Sequence, residues 1–213
     1  MDWKFVANCL VTVLAILDPV GALAMFLALL GGATHEQRRR GARLAATTVL
    51  ATLTVALLGG RQLLTLLGIS MGAFRVAGGA IILLTGLKML GGQLGREPPA
   101  DEAAKLPPRP ELQAIVPLGT PLIAGAGSIS TVILFEHAAR DAPHVGAVAG
   151  VIVVCSALLY LVLRSADRVA GVLGGVGMSI AVRLMGLVLV AMGVQFLADG
   201  LLDLFPALAR PGG

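Results

Sequence analysis

Long apolar runs alternate with short polar ones along almost the whole chain. A run of about 20 apolar residues is long enough to cross a bilayer as a helix. The pattern predicts six such spans: between residues 4 and 35, at 43–67, at 73–92, within 112–135, within 145–163 and at 178–198. The first span is interrupted near its middle by Asp18 and Pro19. Residues 93–113 are charged and rich in proline, and we expect them to form a linker.

Composition places the chain in a membrane. Of its 213 residues 57% are hydrophobic and 13% are charged, whereas soluble domains carry about 25% charged residues. The net charge of +4 does not indicate nucleic-acid binding, because the basic residues cluster at the ends of spans. The sequence contains no catalytic motif and no metal-ligand spacing, so neither an enzyme nor a bound cofactor is expected. Cys9 and Cys155 are interpreted as packing residues.

Basic residues are divided unevenly between the two ends of the predicted spans. One side carries ten of them: Arg38, Arg39, Arg40, Arg43, Lys88, Arg96, Lys105, Arg109, Arg164 and Arg168. The other side carries four: Lys4, Arg61, Arg140 and Arg210. Because the more basic loops usually face the cytoplasm, both termini of this multi-pass protein are predicted to lie on the opposite side of the membrane.

The two halves of the chain resemble each other. The aligned positions are Arg75 with Arg183, Gly78 with Gly186 and Gly92 with Gly200 at an offset of 108, and Asp18 and Pro19 with Thr120 and Pro121 at an offset of 102. Chance similarity between apolar stretches is the alternative explanation. Because each half has three spans, a tandem copy crosses the membrane in the opposite sense.

The predicted fold is therefore all-α: a polytopic membrane protein with six transmembrane helices in two inverted three-helix repeats. Residues 1–92 form the first repeat and 114–200 the second, with a cytoplasmic linker at 93–113 and a C-terminal tail at 201–213. Spans 1 and 4 are predicted to be broken.

The breaks are predicted from helix-start signals. Asp is a good N-cap and Pro is favoured at the first helical position, so Asp18 and Pro19 indicate a half-helix that begins inside span 1. Thr120 and Pro121 indicate the same for span 4. Irregular backbone at membrane depth has to be buried in protein or line a wet cavity, where half-helix ends suit a carboxylate or a cation. Asp18 is expected to be a structural cap, a proton or cation site, or both.

Other polar positions complete the predicted site. Residues 125–131 offer bare backbone and three hydroxyls, the alternative being a kinked helix whose hydroxyls only pack. Arg75 and Arg183 either point into the bundle, to hold a carboxylate or to pair with Asp18 or Asp199, or extend to the lipid headgroups. The predicted substrate-binding residues are Asp18, Pro19, Gly21, Thr120, Pro121, Gly125, Gly127, Ser128, Ser130, Thr131, Arg75, Arg183 and Gln195, and Asp18 is also the predicted ion-coupling residue.

Four stretches resemble a known family: DPVGALAMFLAL in span 1, FRVAGGAIILLTGLKML in span 3, PLGTPLIAGAGSISTVI in span 4 and RLMGLVLVAMGVQFLADG in span 6. In these motifs the chain is similar to the MarC family of bacterial inner-membrane proteins, also described as a neutral amino acid transporter family. The resemblance implies six spans, substrates such as glycine and alanine, and cation coupling. It also implies a place in the bacterial inner (plasma) membrane, where the predicted orientation makes both termini periplasmic. It also takes in Asp199 and Gly200. Met25 and Ala126 depart from the family pattern, which often has proline at both positions.

The expected function is therefore a secondary transporter of small neutral amino acids that works by alternating access and is coupled to H⁺ or Na⁺. One alternative is an exporter of amino acids or related small metabolites. Another is a non-transporting membrane scaffold or regulator that docks a partner through its linker. The expected partners are the amino acid and the lipid bilayer, and faces of small residues also permit a homo-oligomer.

Overall fold

The computed structural model describes residues 3–30, 33–92, 124–139 and 141–206. These residues form helices and no strand. The helices are α1 (Trp3–Leu17), α2 (Pro19–Leu30), α3 (His35–Leu66), α4 (Met71–Leu90), α5 (Ala126–Ala138), α6 (Ala142–Arg164) and α7 (Ala166–Leu204). The predicted linker at 93–113 lies outside the described residues.

Five helical stretches in this part of the chain are long and apolar enough to cross a membrane. They are Trp3–Leu30, His35–Leu66, Met71–Leu90, Ala142–Arg164 and Gly171–Leu204. The prediction of an all-α, polytopic membrane protein is confirmed. Of the predicted fourth span only α5 is described, and its 13 residues extend roughly 20 Å, less than a hydrocarbon core of about 30 Å. The complete six-span inverted repeat stays a prediction.

Two helices begin well before the apolar runs that predict them. The arginines expected in a loop after span 1 lie inside α3, which begins at His35. Its start is a capping box: the Thr34 hydroxyl accepts from the Gln37 N–H at 3.3 Å, and the Gln37 side chain accepts from the Thr34 N–H at 2.9 Å. Helix α7 also begins early, at Ala166, but its backbone leaves the helical region at Gly174 (φ 61°, ψ 179°), so the part after Gly174 begins close to the predicted span at 178–198. Hydropathy detects only the helical turns that lie in lipid, so it does not detect charged helical turns that extend into water.

The helix ends lie on two faces of the bundle. On the first, called here the terminal face, α1 begins and α7 ends. Phe5 of α1 packs edge-on there against Phe135 of α5 and His144 of α6, with ring centroids 5.8 and 5.1 Å apart. This contact brings the end of α5 and the start of α6 to the start of α1, so α1 and α6 run in parallel.

On the second, called here the basic face, α2 ends and α3 and α7 begin. Arg38 of α3 connects all three helices: its Nε donates to the Leu30 carbonyl oxygen at 3.0 Å, and its guanidinium pairs with Asp167 of α7. The same carbonyl oxygen also accepts from the Ala33 N–H at 3.0 Å, so the Arg38 bond is a second one at the C-terminus of α2. The basic face is therefore held together by a cation from one helix and the ends of two others.

The main core lies among α1, α2, α3, α5 and α6, where Phe26, Leu53 and Leu159 are fully buried. Apolar side chains also cover much of the outside. Val55 and Val172 are 71% and 87% exposed. Such a surface is typical of helices in contact with lipid, and it agrees with the number of membrane-length helices.

Helices α4 and α7 pack closely and antiparallel. Their glycines meet at intervals of seven residues: Gly72 faces Gly200, Gly79 faces Gly193 and Gly86 faces Gly186. A β-carbon on Gly86 would lie 2.7 Å from both the carbonyl oxygen of Gly186 and the backbone nitrogen of Val190. Because apolar burial does not drive helices together in lipid, this close backbone approach and its van der Waals contact hold the pair.

The register of α4 and α7 is related to the internal repeat. Continuing it places Ile82 opposite Val190, and these residues are themselves 108 apart, the offset that aligns the two halves of the chain. Two repeats related by a local twofold axis would pack in this way, and the repeat itself stays a prediction. The antiparallel pairing that an inverted repeat requires of spans 3 and 6 is therefore present.

The substitution Gly86→Ala is expected to destabilise the protein, because the new β-carbon meets backbone atoms that have no rotamer to change. Overpacking of this kind costs about 1–3 kcal/mol. The measurement is the thermal unfolding midpoint in detergent. Gly150→Ala in α6 is the matched control, since a β-carbon there meets nothing within 4 Å and brings the same gain in helix propensity. Equal midpoints for the two variants would contradict the packing described here.

Candidate functional site

Asp18 alone separates α1 from α2. Its backbone is left-handed, with φ 45°, a region that Asp tolerates better than most residues. Its N–H donates to the carbonyl oxygen of Leu14 at 3.2 Å and so ends α1. Its own carbonyl oxygen accepts from the Ala22 N–H at 2.9 Å and so begins α2. The break therefore leaves neither backbone group of Asp18 without a partner, as the membrane interior requires.

The Asp18 side chain caps α2. Its Oδ1 accepts from the Gly21 N–H at 3.1 Å, and the residue is only 7% exposed. A β-carbon on Gly21 would lie 2.0 Å from Oδ2, so the carboxylate folds over the helix start only because position 21 is a glycine. The predicted N-cap is confirmed. An arginine partner for Asp18 is not confirmed, because none of the ion pairs among the described residues includes Asp18.

The start of α5 lies beside the end of α1. A β-carbon on Gly127 would lie 2.7 Å from Ile82 of α4 and 3.5 Å from Ile16, which is two residues before Asp18. The N-cap of α5 is Gly125, which supplies no side-chain hydrogen bond. Thr120 and Pro121 lie outside the described residues, so their predicted role stays a prediction. The structure therefore places the break in the first span next to the first turn of α5.

The hydroxyls of α5 are turned toward their own helix. Ser130 and Thr131 both donate to the carbonyl oxygen of Gly127, at 2.9 and 2.8 Å. A β-carbon on Gly78 of α4 would lie 2.2 Å from the Ser130 oxygen, so this side chain also fills the contact between α5 and α4. Ser128 is buried as well. Ser130 and Thr131 therefore present acceptor lone pairs, but no unengaged hydrogen, to a ligand.

A separate polar cavity of about 360 Å³ lies at the terminal face, among α1, α4, α5 and α7. Its polar lining consists of Asn8, Thr12, Arg75, Gln195 and Asp199. The Gln195 amide donates to Asp199 at 2.7 Å, and the Thr12 hydroxyl donates to Asn8 at 3.4 Å. Apolar side chains of α5 and α7 complete the wall. A cation, a carboxylate and neutral polar groups thus share one small space.

Arg75 pairs with Asp203 near the end of α7, with the guanidinium nitrogen and the carboxylate oxygen 2.9 Å apart. The expected pairing with Asp18 or Asp199 is therefore wrong, although Asp199 lines the same cavity. The register of α4 and α7 explains why Arg75 pairs with Asp203, because it places the start of α4 beside the last turn of α7. Sequence reasoning missed Asp203. The sequence does contain a pattern that could have identified Asp203: Gln195, Asp199 and Asp203 are four residues apart and therefore lie on one helix face.

Arg183 does not point into the bundle, and that expectation is corrected here. The residue is exposed, and its guanidinium lies 3.6 Å from where a β-carbon on Gly92 would be, beyond the far end of α4. The buried face of α7 at this level runs through Val182 and Gly186. Because Arg183 is rotated about 100° from Val182 around the helix, it faces outward.

The predicted site residues form two groups and not one. Met89, which a β-carbon on Gly21 would meet at 2.9 Å, marks the level of the Asp18 break on α4. Arg75 and Met89 are 14 residues apart on that helix, or roughly 21 Å at 1.5 Å per residue. A small ligand does not reach both ends of this distance. Arg75 and Gln195 belong to the cavity, whereas Asp18, Pro19 and Gly21 belong to the break.

Comparisons with known proteins agree on one family. The family model described as MarC family integral membrane protein matches residues 3–205. A UPF0056 membrane protein of Pyrococcus abyssi is 33% identical, covering 95% of this chain and 96% of the relative. The UPF0056 inner membrane protein MarC of Citrobacter koseri is 32% identical over 95% of this chain and 96% of its own length. No solved structure matches the chain.

The contact between Asp18 and Gly21 predicts a strong coupling between the two positions. Gly21→Ala is expected to destabilise the protein by about 1–3 kcal/mol, because the new β-carbon displaces the capping carboxylate. In an Asp18→Gly background, which keeps the left-handed backbone and has no carboxylate, the same change is expected to cost much less. The measurement is a double-mutant cycle on unfolding midpoints in detergent. Additive effects would show that the cap does not exclude a side chain at position 21.

Proposed function

Because the chain belongs to the MarC family of integral membrane proteins, we propose that it is a secondary transporter of small neutral amino acids such as glycine and alanine. It is coupled to H⁺ or Na⁺ and works by alternating access in the bacterial inner membrane, with both termini periplasmic. The break of the first span, with Asp18 as the ion-coupling group, is its mechanistic centre.

The observation that carries this proposal is the chemistry of Asp18. An Asp near the centre of a span costs about 2.5–3.5 kcal/mol on insertion scales. Ser, Thr or Asn would cap a helix about as well without a charge. Asp18 is buried, and none of the ion pairs of the described residues compensates it. An ionisable residue retained in such a place suits a proton or cation that binds and leaves during transport.

The two faces of the bundle support access from one side at a time. At the terminal face a polar cavity separates α1 from α4 and α7. At the basic face Arg38 of α3 forms a hydrogen bond with α2 and an ion pair with α7. In an alternating-access cycle the contacts at one face hold while the cavity at the other face admits the substrate.

The direct test is flux through the purified protein in liposomes. Radiolabelled glycine and alanine are supplied outside, with an imposed proton or sodium gradient, and protein-free liposomes are the control. Accumulation that requires the gradient is expected. No gradient-dependent flux of any of the twenty amino acids, in either direction, would overturn the proposal.

Asp18→Asn is expected to uncouple transport without unfolding the protein, because Asn caps a helix but does not ionise. Gradient-driven accumulation should be lost while exchange of labelled for unlabelled amino acid continues. The matched control is Asp141→Asn, which also alters an N-cap, since Asp141 accepts from the His144 N–H at 3.1 Å at the start of α6. Unchanged accumulation in Asp18→Asn would leave Asp18 as a purely structural cap.

A further inference from the structure

We propose that the cavity at the terminal face binds an amino acid as a zwitterion, its carboxylate against Arg75 and its ammonium against Asp199. The side chain of the ligand lies against the apolar wall of the cavity. This inference rests on the proposed function, which makes amino acids the cargo, and it assigns them a binding site remote from the Asp18 break.

Arg75 is suited to a carboxylate. Its guanidinium has five N–H donors in a planar fork. One of them engages Asp203, and no other bond to the group is made among the described residues. The side chain is 29% exposed and lines the cavity, so its remaining donors are accessible from inside it. Arginine binds carboxylates with two parallel hydrogen bonds in the strongest arrangements.

Asp199 is suited to an ammonium group. Its carboxylate accepts from the neutral Gln195 amide, and it takes part in none of the ion pairs of the described residues. Asn8 and Thr12 of α1 line the same cavity and contribute further oxygen atoms. An ammonium group has three donors and needs several such acceptors. The charge of Asp199 is therefore available to a cationic ligand group.

The spacing of the two charges fits the two ends of one amino acid head group. Asp199 and Asp203 are four residues apart on α7, which puts their β-carbons about 5–6 Å apart. Because Arg75 is bound to Asp203, its guanidinium lies about one helical turn from Asp199. A ligand that carries both charged groups on one carbon atom can satisfy both residues, whereas a ligand with one charge leaves the other residue unsatisfied.

The apolar wall indicates the kind of side chain that is bound. Phe135, Met192 and Phe196 line the same cavity, and Met192 and Phe196 share one face of α7 with Gln195 and Asp199. The volume of about 360 Å³ is near the lower end of the range of about 300–1,000 Å³ typical of small-molecule sites, and it leaves space beyond a glycine. The cavity therefore also has room for neutral amino acids with larger apolar side chains, such as leucine or methionine, besides the glycine and alanine of the proposed function.

The experiment is equilibrium binding of radiolabelled L-leucine to the purified protein in detergent, with no gradient present. Two competitors are used: leucinol, which lacks the carboxylate, and 4-methylpentanoate, which lacks the ammonium group. Each is expected to bind about tenfold or more weakly than leucine, because each loses a charge-assisted contact. Equal affinity of leucine and either single-charge analogue would overturn the proposal.

Variants test the residues themselves. Arg75→Gln and Asp199→Asn are each expected to weaken leucine binding by about tenfold or more. Arg183→Gln is the matched control, because it removes the arginine that is equivalent in the repeat and exposed on α7. Asp203→Asn separates binding from structure: it removes the ion pair but keeps the guanidinium, so binding should persist. Should Arg75→Gln fail to fold, the competition experiment on the unaltered protein decides alone.

The outcomes separate this inference from the proposed function. Gradient-driven flux that is unaffected by Arg75→Gln and Asp199→Asn, together with unchanged leucine binding, would overturn the site and leave the transporter. Leucine binding that depends on both residues in a protein without flux would keep the site and overturn the transporter. Loss of binding in Asp203→Asn, with unchanged stability, would show that the ion pair and not the guanidinium is what the ligand requires.

Discussion

A single hydrogen bond, from the Gly21 N–H to the carboxylate of Asp18, allows the first span to be interrupted inside the membrane. In lipid an unsatisfied backbone group costs several kcal/mol, so a helix breaks there only where every freed group finds a partner. Asp18 supplies partners from its own backbone N–H, its carbonyl oxygen and its side chain. This local arrangement sets the direction of α2. It therefore also brings Leu30, at the end of α2, to the basic face.

The closely packed pair of α4 and α7 is the second constraint, and it acts at long range. Glycines at intervals of seven residues fix the register of the two helices to within a single turn, because a slip would bring larger side chains into backbone contact. That register decides which side chains meet at the helix ends. It brings Asp203 to Arg75, and it thereby places Asp199 and Gln195 in the cavity beside them.

These two constraints also explain what the sequence could predict. The Asp18 cap is a local structure within four residues, so its residue types were sufficient to predict it. Membrane-length helices were predictable from apolar runs, but their charged extensions were not. The partner of Arg75 depends on a contact between residues 128 apart, which only the register of α4 and α7 determines. The sequence left open whether Arg183 points into the bundle or outward, because its spacing from one glycine does not reveal which side of α7 is buried.

The distance between the two polar groups bears on how the proposed cycle is coupled. Roughly 21 Å along α4 separates the level of Arg75 from that of Met89, next to the Asp18 break, so cargo and coupling ion do not touch. Coupling then has to pass through elements that contact both places. Helix α4 does so, and α7 moves with it because their backbones are in contact. The break leaves α2 connected to α1 by one residue, Asp18. In the proposed cycle a change in the charge of Asp18 would therefore act first on the orientation of α2 against α4 and α7, and through that pair on the cavity at its other end.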